Sequence, residues 1–290
     1  MKRFAPAFAL SFALIFCAPV WGQAAYGFHT INYPNDTFIQ LLGINNSQTI
    51  AGYHNFNQNS GFTLRLPFLF TTENYPNSMM TQVIGINNTG TTDGFYVDMG
   101  GTTHGFYDKM GTFTAVDFAG TAFNQLLGQN DLAMASGYYS LSANNSTPDT
   151  PYAYNETTGV FTVITIPGSP GGAQATGINN SGQVCGFYID AMGVNHGFLL
   201  ISGNLTTLDA PNSTFTQALG LNNRGQVVGA YMDQMGNTHG FVWTSAGGFR
   251  TIDDPNGAGT TIVNGINDHG VLVGFYGTAP TNSGFIAFPL

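Results

Sequence analysis

Residues 177–198 read GINNSGQVCGFYIDAMGVNHGF, and residues 220–241 read GLNNRGQVVGAYMDQMGNTHGF, so one phrase is written twice, 43 positions apart. Its opening words return six times, beginning at Gly43, Gly85, Gly128, Gly177, Gly220 and Gly265, at intervals of 42, 43, 49, 43 and 45 residues. A period in the low forties, with neither helical nor leucine-rich spacing, is the size of a four-stranded propeller blade.

Within one period the residues divide into four strands, a to d. In the fifth copy TFTQALGLN reads as strand a, and Asn223-Arg224-Gly225 supplies a tight turn of the Asn/Gly kind, which accepts positive φ. GQVVGAYMD is strand b, DQMGNT a loop, HGFVWT strand c, SAGG a second turn and FRTIDDP strand d. Proline closes strand d, where a missing donor does least harm. The alternation in GQVVGAY and FRTID suits strands packed between neighbouring blades.

The ends of the repeat region are complementary. YGFHTINYP near the start matches a strand d with no a, b or c before it. NGINDHG, VLVGFY and SGFIAFPL at the end match a, b and c with no d after them. Pairing the two pieces completes a blade and removes the open edges that a sheet must otherwise protect. The expectation is an all-β, six-bladed propeller whose last blade is closed by the N-terminal strand. Its blades run approximately over 37–76, 79–119, 121–167, 173–211, 214–255 and 260–290 plus 26–34. A curved solenoid with capped ends is the alternative, and it leaves the complementary ends as a coincidence.

Ahead of the first strand, Lys2 and Arg3 precede an apolar run from Phe4 to about Val20, followed by small residues around Gly22 to Ala25. This is the pattern of a secretory signal peptide, assigned to residues 1–24, which leaves 25–290 as a single propeller domain. The expected location is extracellular or periplasmic. Cys17 falls in the discarded segment, so Cys185 is left with no partner for a disulfide, and stability must come from packing. Only Arg65, Lys109, Arg224 and Arg250 then remain basic, against 15 acidic residues. That balance argues against nucleic acid, which is held by clustered cations, and against anionic membrane surfaces. The chain is expected to act as a monomer.

The phrase G-[IL]-N-[ND]-x-G-x-[LV]-[VC]-G, followed by D-x-M-G-x-x-H-G-F, resembles the bacterial extracellular HAF repeats, named for a His-Ala-Phe triplet. Here Gly replaces Ala, as in His104-Gly105-Phe106, His196-Gly197-Phe198 and His239-Gly240-Phe241. The resemblance implies export and a repeated β-fold, and no particular activity.

Two sets of repeated residues carry possible chemistry. Between strands b and c stand Asp98, Gly100 and His104; Asp190, Gly193 and His196; and Asp233, Gly236 and His239. Repeated carboxylate and imidazole groups suit a divalent metal or acid–base work. Strand c, however, is the third strand from the axis, so these groups are expected far apart. Each is read first as a clamp on its own loop, the Asp orienting the His and the ring meeting a backbone carbonyl. No cofactor is required on that reading, and a divalent metal at these residues is the alternative. The second set is a glutamine three residues before five of the motif glycines: Gln40, Gln82, Gln125, Gln174 and Gln217, with Ile262 breaking the series. Strand a lines a propeller's channel, so these uncharged amides are expected to ring one mouth and to suit a glycan or peptide. The competing reading is bracing between adjacent a strands.

Other repeated residues read as structure. The pairs Asn45-Asn46, Asn87-Asn88, Asn179-Asn180 and Asn222-Asn223 follow from turn geometry, and Cys185 stands where the sister repeat has Val228, as a small buried apolar residue. The third blade is the most divergent, with GQNDLA for its phrase and the longest b–c segment, Ser140 to Pro151. No nucleophile elbow, H-E-x-x-H or phosphate-cradling loop occurs. The expected function is that of a secreted binding module for a polar ligand. The alternative is an extracellular hydrolase or lyase acting at the channel mouth.

Overall fold

The computed structural model describes residues 26–55, 57–67, 69–143, 147–278 and 280–290. The expected signal segment, 1–24, lies outside the described residues. The described chain holds twenty-four strands and no helix. Strand β1 (Tyr26–Ile31) is followed by β2 (Ile39–Ile44), β3 (Thr49–Asn55), β4 (Asn59–Arg65) and β5 (Leu69–Thr72). The second repeat gives β6 (Ser78–Ile86), β7 (Thr92–Asp98), β8 (Thr103–Lys109) and β9 (Thr112–Val116). The third gives β10 (Phe123–Gln129), β11 (Met134–Ser140), β12 (Thr150–Asn155) and β13 (Val160–Val163). Then come β14 (Ala173–Ile178), β15 (Val184–Ile189), β16 (Asn195–Ile201) and β17 (Asn204–Leu208). The fifth is β18 (Phe215–Leu221), β19 (Val227–Met232), β20 (Thr238–Thr244) and β21 (Gly248–Ile252). The chain finishes with β22 (Ile262–Ile266), β23 (Leu272–Thr278) and β24 (Thr281–Pro289).

Strand β1 pairs antiparallel with β24, from Tyr26 against Pro289 to Ile31 against Gly284, and so completes the sheet β1-β24-β23-β22. The fold is propeller-like and all-β. Four sheets stand as separate four-stranded blades, where six were expected. The other eight strands, β6 to β13, form one sheet. The physical reason is a parallel pairing of Phe123 on β10 with Thr103 on β8, which ties two four-strand sets together.

Two glycines and one aromatic ring per repeat explain how the sheets pack. At Gly229 on β19 an added Cβ would lie 1.9 Å from the Gln217 carbonyl oxygen and 2.8 Å from the Phe241 ring. The ring of strand c therefore occupies the space that a glycine of strand b leaves open. Phe62, Phe106, Phe198, Phe241 and Phe285 occupy this place, Tyr152 replaces them in the third repeat, and all six are fully buried. Each such ring contributes about 1.5–3 kcal/mol by burial. The motif glycine is needed for a different contact: a Cβ on Gly43 would stand 2.7 Å from the Ile84 carbonyl oxygen of the next repeat's inner strand. The inner strands converge so closely that a side chain there would hold them apart.

Just before each motif glycine the pairing of the inner strand slips by one residue, between Leu41 and Gly43, Val83 and Gly85, Leu126 and Gly128, Ala175 and Gly177, Ala218 and Gly220, and Val263 and Gly265. The residue left over is a β-bulge, which re-aims its side chain. The six bulge residues, Leu42, Ile84, Leu127, Thr176, Leu219 and Asn264, all face a common space on the axis.

Candidate functional site

The channel has two mouths of different construction. At the mouth formed by the a–b turns, the first asparagine of each pair builds its own turn and reaches the next repeat. Asn222 Oδ1 accepts the backbone N–H groups of Arg224 and Gln226, and its Nδ2 donates to the Asn267 carbonyl at 3.0 Å. The same reach runs from Asn45 to Asn87, Asn87 to Asn130, Asn130 to Asn179, Asn179 to Asn222, and from Asn267 back to Asn45, which closes a ring. A second ring runs through the next residue: the backbone N–H of Asn46 donates to Asn88, Asn88 to Asp131, Asp131 to Asn180, Asn180 to Asn223, Asn223 to Asp268 and Asp268 to Asn46. Asp131 Oδ2 also takes the side-chain amides of Asn88 and Asn180, and Asp268 Oδ2 takes those of Asn46 and Asn223. In the third repeat Ala133 stands where four of the other turns have glycine, with φ at 59°. The Asx turn tolerates this left-handed residue at a cost of about 1 kcal/mol.

The opposite mouth, on the side of the b–c loops, holds a cavity of about 250 Å³. Its floor is the six bulge residues, four of them aliphatic. Of the five glutamines, two line it, Gln174 and Gln217, together with the ring of Phe187. The five amides therefore do not make an even ring. Gln40 and Gln125 are turned to strand b, where Tyr53 and Tyr138 donate their hydroxyls to the amide oxygens at 2.9 Å and 3.0 Å. Gln82 sits opposite Phe95 across the β6–β7 pair.

The two glutamines on the cavity are each held by the amino end. Gln174 Nε2 donates to Asp149 Oδ2 at 2.6 Å, and Gln217 Nε2 donates to Asn195 Oδ1 at 3.2 Å. Asn264 on the floor is held likewise, its Nδ2 donating to the Leu41 carbonyl at 3.1 Å. Asp149 belongs to the long b–c segment of the divergent third repeat, so that segment reaches the cavity wall. Residues 144–146 of it lie outside the described residues.

The Asp–His phrases stand apart from the cavity lining. His104, His196 and His239 each lie between two carboxylates. Nε2 faces the loop Asp of its own phrase at 3.4 Å (Asp98, Asp190, Asp233), and Nδ1 meets a second Asp at the end of strand d at 2.9–3.0 Å (Asp117, Asp209, Asp253). The expected backbone carbonyl partner is thus corrected to a carboxylate. The signal that was missed is a recurring Asp after strand d, in VDF, LDA and IDD. Each ring stacks on a tyrosine of strand b, Tyr96, Tyr188 or Tyr231, at 5.0–5.1 Å. The left-handed glycine of the first of these loops is Gly101, one place later than Gly100. His54, in the first repeat, meets Asp36 at 2.9 Å and stacks on Tyr33.

Charge and burial tune these groups. Burial pulls the His196 and His239 rings down, but the flanking carboxylates outweigh it and hold both above the ordinary histidine value. Asp190 is held low, first by the Val194 N–H, and Asp233 is lowered to about 2, first by the Asn237 amide. Among the described residues no group of three or more His, Cys, Asp or Glu side chains is arranged to hold a metal ion. Cys185 is fully buried, which pushes its thiol up to about 12. His29 packs edge-on to Phe288. Two further carboxyls stand inside the fold, Glu73 half-buried and Asp93 fully buried. Burial raises Glu73, a partner of the Thr92 hydroxyl, to about 7, with Asp108 adding to the rise. Asp93, fully buried, is raised well above its ordinary value by burial and then by Glu156.

No protein-family model matches this chain, and no curated protein matches it by sequence. Solved structures do match by shape. A putative TolB from Agrobacterium tumefaciens is similar at a TM-score of 0.60 and 12% identity, covering 88% of this chain and 91% of that one. A catalytically inactive virginiamycin B lyase from Staphylococcus aureus, solved with quinupristin, is similar at 0.53 and 11% identity, covering 91% of this chain and 100% of that one. A mutant Aleuria aurantia lectin in complex with alpha-methyl-L-fucoside is similar at 0.50 and 11% identity, covering 86% and 94%. At such identities the likeness is one of fold.

Proposed function

We propose that this chain is a secreted, six-bladed β-propeller of the HAF-repeat type that binds a polar ligand, a glycan or a peptide, at the channel mouth bordered by the b–c loops. The observation that carries this reading is the cavity itself. It combines an aliphatic floor, an aromatic ring and amide groups held in place by neighbours yet not fully used by them. Such a mixture fits ligands with an apolar body and a few fixed polar groups. Six blades are favoured by the closed hydrogen-bonded rings, each with six members, into which the fused eight-stranded sheet contributes two. Export is supported by the N-terminal apolar segment. The lectin of like fold, complexed with a fucoside, is in keeping with a sugar ligand.

A hydrolase or lyase at this mouth would need ionisable groups converging on the cavity. The described lining is uncharged, and the Asp–His groups are better placed as clamps on their loops. Screening the exported protein on glycan and peptide arrays tests the proposal, with the Gln174→Leu/Gln217→Leu double variant as control. The expected result is a ligand bound by the parent and lost by the variant at unchanged melting temperature. Turnover of an array ligand, abolished by a His196→Gln change, would replace binding by catalysis.

A further inference from the structure

Resting on the reading of this mouth as the ligand site, we infer that the group it recognises is a protonated primary amine, carried by an amino sugar or a peptide, next to an apolar stretch. Three consecutive repeats present the same half of an amide to the cavity. Gln174, Gln217 and Asn264 each give their amino end to the protein, to Asp149, Asn195 and the Leu41 carbonyl. Their carbonyl oxygens, Oε1, Oε1 and Oδ1, make no hydrogen bond among the described residues, and none is sealed away from solvent. All three side chains line the one cavity. Its polar wall therefore carries three unused acceptors, beside the second N–H that each amide nitrogen keeps. The carboxylate behind Gln174 accepts only, so that amide's orientation is decided by chemistry.

Three unused amide oxygens on one wall suit a group with several N–H donors and no lone pair, which is an ammonium. Two further features point the same way. The Phe187 ring lies on the same cavity, and an aromatic face attracts cations. The whole chain carries a formal net charge of −9, which draws cations toward it. Opposite the acceptors, Leu42, Ile84 and Leu127 offer a floor for the carbon skeleton that bears the amine.

The test is calorimetric titration with two matched pairs: a glucosamine tetramer against its fully N-acetylated form, and a lysine-ended peptide against its acetyl-lysine form. One free-amine probe should bind, and acetylation should weaken it at least about tenfold, the equivalent of one charged hydrogen bond. The pair that responds identifies the source of the amine. Gln217→Leu should weaken the amine probe, whereas Gln217→Glu should strengthen it by about threefold or more at low salt, as a nearby opposite charge does. Melting curves of both variants check that the fold is kept. If acetylated and free probes bind alike, or Gln217→Glu weakens the amine, the ammonium inference falls. An array ligand without an amine that is lost in Gln217→Leu overturns it too, while leaving the mouth as the site. If every ligand found is indifferent to Gln174→Leu and Gln217→Leu, the reading of the mouth falls with it.

Discussion

The two mouths of the channel are built from the same kind of side chain and end in opposite states. At the turn end the asparagines use both halves of their amides: Asn222 accepts two backbone N–H groups and donates to two oxygens, Asn179 does the same, and Asn45, Asn87, Asn130 and Asn267 each donate to one. At the other end Gln174 and Gln217 use one half and leave the other unmatched among the described residues. Repetition alone does not tell structure from function. The completeness with which a repeated polar group is satisfied does. Leaving a buried amide oxygen unbonded is costly, and Asn124, Gln129 and Asn282 each carry one, whereas the unused oxygens of Gln174 and Gln217 are open to water or a ligand.

This contrast can be broken by substitution. Asn222→Ala removes bonds to two repeats from a site 4% exposed, and about 3 kcal/mol of stability should go, read by chemical denaturation. A loss under 1 kcal/mol would mean that the ring is ornament. The next effect belongs to neither mouth. Glu73 rises from 4.5 to about 7 on folding, so its contribution is complete below pH 4.5 and is lost as pH climbs toward 7, by up to about 2–3 kcal/mol. Melting at pH 5 and pH 8 should show it, and Glu73→Gln should flatten the slope, while variants of either mouth shift both melts alike. Asp268→Asn keeps the backbone ring but orphans the amides of Asn46 and Asn223, and should cost about 1 kcal/mol. Smallest of all, Gln217→Leu should change stability by less than about 0.5 kcal/mol, as a surface substitution does. A larger loss would place Gln217 with the asparagines.

How far the sequence showed these things depended on whether the cause was local. The strands, the turns and the pairing of β1 with β24 follow from period, alternation and Asn/Gly chemistry, which are written along the chain. Joining of two sheets through Phe123 and Thr103 was not legible, because it depends on how neighbouring repeats meet in space. The channel floor was not legible, because the repeated glutamine stands three residues before the motif glycine and the floor does not. The bulge hands that role to the residue immediately before it, where Leu, Ile, Thr and Asn vary without a pattern. The glutamines were correctly placed on strand a. Their division into cavity-lining and tyrosine-bound sets depends on strand b, where Tyr53 and Tyr138 carry hydroxyls and Phe187 carries none. The second carboxylate on each histidine is written as a recurring Asp after strand d, but its pairing is not legible because 13 or 14 residues separate the partners.

The outer ring at the turn end has one more property. Read in order, its members are Asn46, Asn88, Asp131, Asn180, Asn223 and Asp268, so the pattern recurs after three steps, with each carboxylate serving an amide on either side. A circle that satisfies itself every third member has a pseudo-twofold axis along the channel. It could be assembled from two identical arcs of three repeats without leaving a donor or acceptor unmatched. Half of this chain, made twice, already contains the bonding pattern of a whole. Two copies of a three-repeat chain would present the same sequence of donors and acceptors around the circle.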